Sequence, residues 1–195
     1  MRQTIFILSL LAQAIGPQDS PYKQFQSYMD VPGGRILEID FYQEQLGDRF
    51  ESSGTLYYIE NDRYTFDDLN QRITYNSGTI TTINKATKQV IYDSTIPGDV
   101  TVFDVLSGNE NAIQIGEILM EKNGFRIPFI LKDWDISGTL WTVPGTGKPR
   151  HIILRPTEDS EIRIKVNSSE PVKNKGIPQL DIQGFEIIDL REKIF

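Results

Sequence analysis

An alternation of period two that begins at Arg35 constrains this chain more than any other feature. Leu37, Ile39 and Phe41 alternate with Glu38, Asp40 and Tyr42, and successive side chains on a strand point to opposite faces. One face of such a strand is apolar and has to be buried, while the other is charged and meets water. Turn residues then recur about every ten positions: Gly47-Asp48, Asn61-Asp62, Asn76-Ser77-Gly78 and Lys85-Ala86-Thr87. Between them lie strand patterns at 49–60, 63–66, 71–75, 79–84 and 89–93. Leu56 and Tyr58 share one side of the first of these, and Tyr64 and Phe66 one side of the next. Further strand-like segments lie at 113–121, 125–131, 136–143, 151–155, 161–166 and 184–190, with loops expected at 144–149 and 167–178. Strands at this spacing predict a mainly β protein built as an antiparallel meander.

Two helical patterns interrupt the strands. Ser20-Pro21 reads as an N-cap followed by proline at the first helical position. Tyr22, Phe25, Tyr28 and Met29 then fall near the spacing of one helical face, and Val31-Pro32-Gly33-Gly34 stops the helix. A second, weaker helix is expected after Pro97, with Val100, Phe103 and Leu106 on its inner side.

The first residues predict export. Arg2, the apolar run Ile5–Leu11 and Ala12-Gln13-Ala14 have the order of a signal peptide, and the run is too short to span a bilayer. Cleavage after Ala14 would leave 15–195 as a single domain, large enough to bury its own core. The chain has no cysteine, which excludes disulfides and the acylated cysteine of a bacterial lipoprotein. A formal net charge of −7 argues against nucleic acid and against anionic membrane surfaces as broad partners.

Sites for chemistry are sparse. His151 is the single histidine and has no cysteine to share a zinc ion with, and no Gly-x-Ser-x-Gly elbow accompanies it. Gly145-Thr146-Gly147-Lys148 lacks the spacing of a phosphate loop, since Thr142 and Pro149 hold the places of its first glycine and its Ser or Thr. Glu38, Asp40 and Glu44 share a strand face, and Asp133 and Asp135 flank Trp134; a carboxylate hydrolase could use either set, but a solvated outer face accounts for the first more simply. The reading is therefore non-catalytic, with no cofactor and no metal. What remains is an apolar constellation: the aromatic helix face and Phe41, Leu56, Tyr58, Tyr64 and Phe66 on the early strands.

Over 36–109 the sequence resembles the LolA-like periplasmic lipoprotein carriers. Phe41-Tyr42-Gln43 is close to that family's Phe-x-Gln, and Gly54-Thr55-Leu56-Tyr57-Tyr58 to its Gly-x-Leu followed by an aromatic. Tyr64-Thr65-Phe66 matches an aromatic-x-aromatic strand, and Ser77-Gly78 with Ile80, Asn84 and Gln89 follows its turn and strand order. Residues 100–108 resemble the internal lid helix, and Leu140–Pro144 the strand after it. The resemblance implies an unclosed, strongly curved β-barrel with short lid helices over its concave face, acting as a monomer in the periplasm. It implies an apolar cavity formed by Tyr22, Phe25, Tyr28, Met29, Leu37, Ile39, Phe41, Leu56, Tyr58, Tyr64, Phe66, Phe103 and Leu106. It further implies acylated lipoprotein or lipid as cargo, an inner-membrane releasing complex and an outer-membrane acceptor. The family gates its lid with an arginine; Glu60 stands at the aligned position, and Arg63, across the hairpin, is the candidate to replace it. An envelope-stress sensing module of the same fold is the alternative reading.

Overall fold

The computed structural model describes residues 20–60, 63–95, 105, 113–132, 135–172 and 176–191. The expected signal peptide, Phe103 and Leu106 lie outside them. Helix α1 spans Pro21–Met29. Ser20 caps it, its hydroxyl accepting from the Lys23 backbone N–H at 3.3 Å, so the Ser-Pro start works as the sequence indicates. A single sheet of thirteen strands follows: β1 (Arg35–Gln45), β2 (Asp48–Glu60), β3 (Arg63–Asp68), β4 (Gln71–Asn76), β5 (Thr79–Asn84), β6 (Gln89–Ser94), β7 (Ile113–Ile115), β8 (Leu119–Glu121), β9 (Gly124–Leu131), β10 (Ile136–Thr142), β11 (Pro149–Thr157), β12 (Ser160–Pro171) and β13 (Glu186–Asp189).

The strands lie in the order β13-β6-β5-β4-β3-β2-β1-β12-β11-β10-β9-β7, with β8 also on β9. The two ends of this order do not pair, so the sheet is not closed into a barrel. Pairings are antiparallel except that of β13, which lies parallel to β6, Glu186 opposite Gln89 and Asp189 opposite Tyr92. The expected loop at 167–178 is corrected in its first part. A bulge beside Glu38 and Ile39, which face Ser168 and Val166, absorbs Asn167 and lets β12 run on to Pro171.

Register builds the core. Leu37 faces Leu56, Leu56 faces Phe66 and Phe66 faces Ile73, forming one row across four strands. Ile127, Leu140, Ile152, Ile164 and Phe41 form another across five. A flat sheet would hold β3 and β9 about 29 Å apart, six strand spacings. Their inner side chains nevertheless join α1 in one apolar cluster, and the sheet accommodates this by curling around the helix. The architecture is the unclosed curved sheet that the LolA-like resemblance implies.

Candidate functional site

Helix α1 lies in the concavity and sends Tyr22, Phe25 and Met29 into the sheet. The strands meet it with Leu37, Ile39, Leu56, Tyr58, Tyr64 and Phe66. Phe25, Leu37 and Leu56 are each 0 % exposed, so no water-sized space touches them and α1 fills the concavity at this point. Val105 is buried in the same cluster. Farther along, Tyr64 stacks on Tyr75 with centroids 5.1 Å apart. Phe41 is only partly buried and extends the cluster towards the β1–β2 hairpin, 6.1 Å from the exposed ring of Phe50.

The helix is held at its C-terminal end and along its backbone. At its C-terminus, the Arg35 Nε–H donates to the Tyr28 carbonyl, one of the oxygens a helix end leaves without an internal partner. The same guanidinium lies 3.5 Å over the Tyr28 ring. A cation here also suits the negative end of the helix dipole. Arg35 is 7 % exposed and stands in phase with Leu37 and Ile39 on the inner face. Towards the N-terminal half of the helix, the β10–β11 turn presses on its backbone. Gly147 has φ +70°, and a Cβ there would fall on the Gln24 carbonyl and the Phe25 nitrogen. The Gly-Thr-Gly-Lys segment is therefore a turn shaped for helix packing.

The structure thus brings together the expected helix and strand residues, with two differences. Tyr28 sits under Arg35 at the clamp, away from the centre of the cluster. Glu60 and Arg63 are opposite each other in the β2–β3 register, and the lid they were expected to gate lies outside the described residues apart from Val105, while the clamp on α1 is Arg35. The sequence did carry a signal for Arg35: a cation in phase with an apolar alternation, directly after Gly33-Gly34.

The convex face has a different chemistry. Glu38 accepts from Thr55 at 3.1 Å, and Asp40 from Ser53 at 2.9 Å and Lys165 at 3.4 Å, as expected for a solvated face. Hydrogen bonds from Asn167 and Ser53 hold the Asp40 carboxyl below its ordinary range. His151 stacks on Trp141 with centroids 5.2 Å apart, and Trp141 Nε1 donates to Glu121 at 3.3 Å. Burial, and then the charges of Arg163 and Lys165, keep the imidazole pKa below its usual 6.5, so His151 is neutral near pH 7.

No protein-family model matches the sequence, and no curated protein matches it either. Solved structures do resemble it. An uncharacterized conserved protein from Thermus thermophilus superposes with a TM-score of 0.54 at 7% identity, over 87% of this chain and 96% of that one. A LolA superfamily protein from Nitrosomonas europaea gives 0.45 at 7% identity, over 79% and 93%. A DUF1329 family protein from Desulfovibrio piger gives 0.44 at 10% identity, over 81% and 93%. Of these three, only the first superposes closely enough to establish a common fold.

Proposed function

We propose that the protein is a non-catalytic periplasmic carrier that takes the acyl chains of a lipoprotein, or another lipid, between α1 and the concave sheet. The observation that carries this reading is the apolar cluster in which α1 packs into the concave sheet, with the buried Arg35 fastening the helix end. Acyl chains enter when α1 lifts, and the helix face returns when they leave.

Magnitudes favour exchange over permanent capture. Burying a chain of ~16 carbons contributes about 13 kcal/mol at ~0.8 per methylene. Displacing Tyr22, Phe25 and Met29 costs about 5 to 9 kcal/mol, at roughly 1.5 to 3 for each buried side chain. The remainder, about 4 to 8 kcal/mol, corresponds to millimolar to micromolar dissociation constants. A filled concavity makes capture reversible because the ligand must replace contacts the empty protein already has.

The test is uptake of a fluorescent fatty acid of ~16 carbons by the folded chain and by Arg35→Gln. Loosening the clamp should speed uptake several-fold while the urea midpoint shifts only modestly. If neither protein takes up the probe, and both give sharp unfolding transitions, the carrier reading fails.

A further inference from the structure

The formal charge of −7 is not spread evenly over the convex face. The outward positions of β1 and β2 carry Glu38, Asp40, Glu44 and Glu51, with Arg49 among them. Across β9, β11 and β12 the sign reverses: Arg126, Arg150, Arg155, Arg163 and Lys165 stand against Glu161 and against Asp40, which lies 3.4 Å from Lys165, with Glu121 and Glu170 at the margins. Glu161 is shared, 3.1 Å from Arg155 and hydrogen-bonded to Arg163. Arg150 occupies the bulge between Trp141 and Thr142 and donates to the Asn123 carbonyl at 2.5 Å, a contact that neutralises no charge.

Apolar side chains are interleaved with these cations. Leu119 and Ile130 are both 40 % exposed, Leu119 opposite Arg126 on the edge and Ile130 farther along β9 on the same face. Trp141 presents an indole beside Arg126 on one strand and His151 on the other. Next to it, a depression of about 410 Å³ is lined by Trp141, Arg150, His151 and Lys165, with Glu121, the acceptor of the Trp141 indole, also in its wall. Guanidinium groups donate in pairs to phosphate oxygens, and an indole with apolar neighbours suits the headgroup layer of a bilayer.

We propose that the convex face of β9–β12 docks on an anionic phospholipid surface, with lipid phosphates at Arg150 and Lys165 and with Leu119, Ile130 and Trp141 against the glycerol layer. The charge of the whole chain opposes this only beyond a Debye length. Within one, at ~8 Å in physiological salt, the local cations dominate. The inference does not depend on the carrier reading, because a protein that takes up no acyl chain could still dock in this way.

The test is cosedimentation of the full chain with vesicles holding about 30 mol % phosphatidylglycerol in phosphatidylcholine, against phosphatidylcholine alone. Binding should be at least about tenfold weaker on the neutral vesicles and on anionic vesicles in ~0.5 M salt. Arg163→Glu with Lys165→Glu should weaken it by about tenfold or more, and so should Arg126→Gln with Arg163→Gln if the first pair lowers the urea midpoint. Glu38→Gln with Glu51→Gln should not weaken it. Equal binding to neutral vesicles, or indifference to both cation pairs, would overturn the proposal. So would binding of soluble polyglutamate without binding of vesicles, which would point to an acidic protein partner.

Discussion

Asp67 serves two cations at once on the convex face of β3. Arg72 Nη2 lies 2.5 Å from one of its oxygens and Lys85 Nζ 2.7 Å from the other, and Arg72 Nη1 donates to the Pro178 carbonyl at 2.7 Å. Burial pushes the Asp67 carboxyl up, but the hydrogen bonds and charges of Arg72 and Lys85 outweigh it and leave the pKa below 3.8. A carboxyl depressed in the folded state stabilises above its unfolded pKa, and that contribution is lost as pH falls through the folded one. The loss should therefore begin near pH 3.8 and be complete only at lower pH. Asp67→Asn should abolish this part of the acid dependence and cost about 2 to 3 kcal/mol at pH 7, because Arg72 is left buried without a carboxylate. Urea unfolding of both proteins across acid pH checks this; parallel curves for the two would refute it. This network was not legible in the sequence, and the Arg35 clamp was legible only as a cation in phase with an apolar alternation. Asp67 and Arg72 look like ordinary outward residues until the chain end crosses them, and Arg35 shows its role only when Tyr28 is beneath it.

Helix α1 and the β10–β11 turn depend on each other through close backbone contact. Gly147→Ala would place a methyl group on the Gln24 carbonyl and would also have to hold φ +70°. Each such strain costs about 1 to 3 kcal/mol, and it falls on the interface that holds the helix down. Amide exchange should therefore accelerate by about tenfold or more in Gln24–Met29, while the β1–β12 pairing keeps its protection. Unchanged helix protection in a folded variant would show that the turn does not fasten α1. At this scale the sequence was informative. Strict alternation and regular turns place most strands, and Ser20-Pro21 with Gly33-Gly34 bounds the helix. Two parts were misplaced: the segment expected as one strand over 113–121 is broken into β7 and β8, and the end of β12 has the loop composition Asn167-Ser168-Ser169 but is kept extended by pairing to Glu38 and Leu37 through a bulge. Propensity gives way there to a long partner strand.

The molecule as a whole uses its chain end to close a problem that an open sheet creates. An unclosed sheet has edges, and β6 would present one beside a patch of the convex face where Ile83 and Val90 line up with Arg72. Residues 176–191 cover both. Arg72 fixes Pro178 over the patch, Val90 is left 1 % exposed, and β13 satisfies the edge, with the Glu186 N–H on the Lys88 carbonyl and the Leu190 N–H on the Tyr92 carbonyl. The cover is thin, since Ile187 and Leu190 remain 64 % and 57 % exposed. Burial of Val90 contributes about 1.5 to 3 kcal/mol, and the hydrogen bonds to β13 add about 1 each. A chain ending at Val172 should therefore unfold about 3.5 to 5 kcal/mol more readily. It should also self-associate, because a bare strand edge beside exposed apolar side chains templates pairing with another copy. Light scattering and urea unfolding of the shortened protein check both effects. A monomer with the original midpoint would mean that the concave core alone sustains the sheet. Self-association with fatty-acid uptake preserved would instead separate the two faces, leaving ligand exchange to the concave side and edge protection to the chain end.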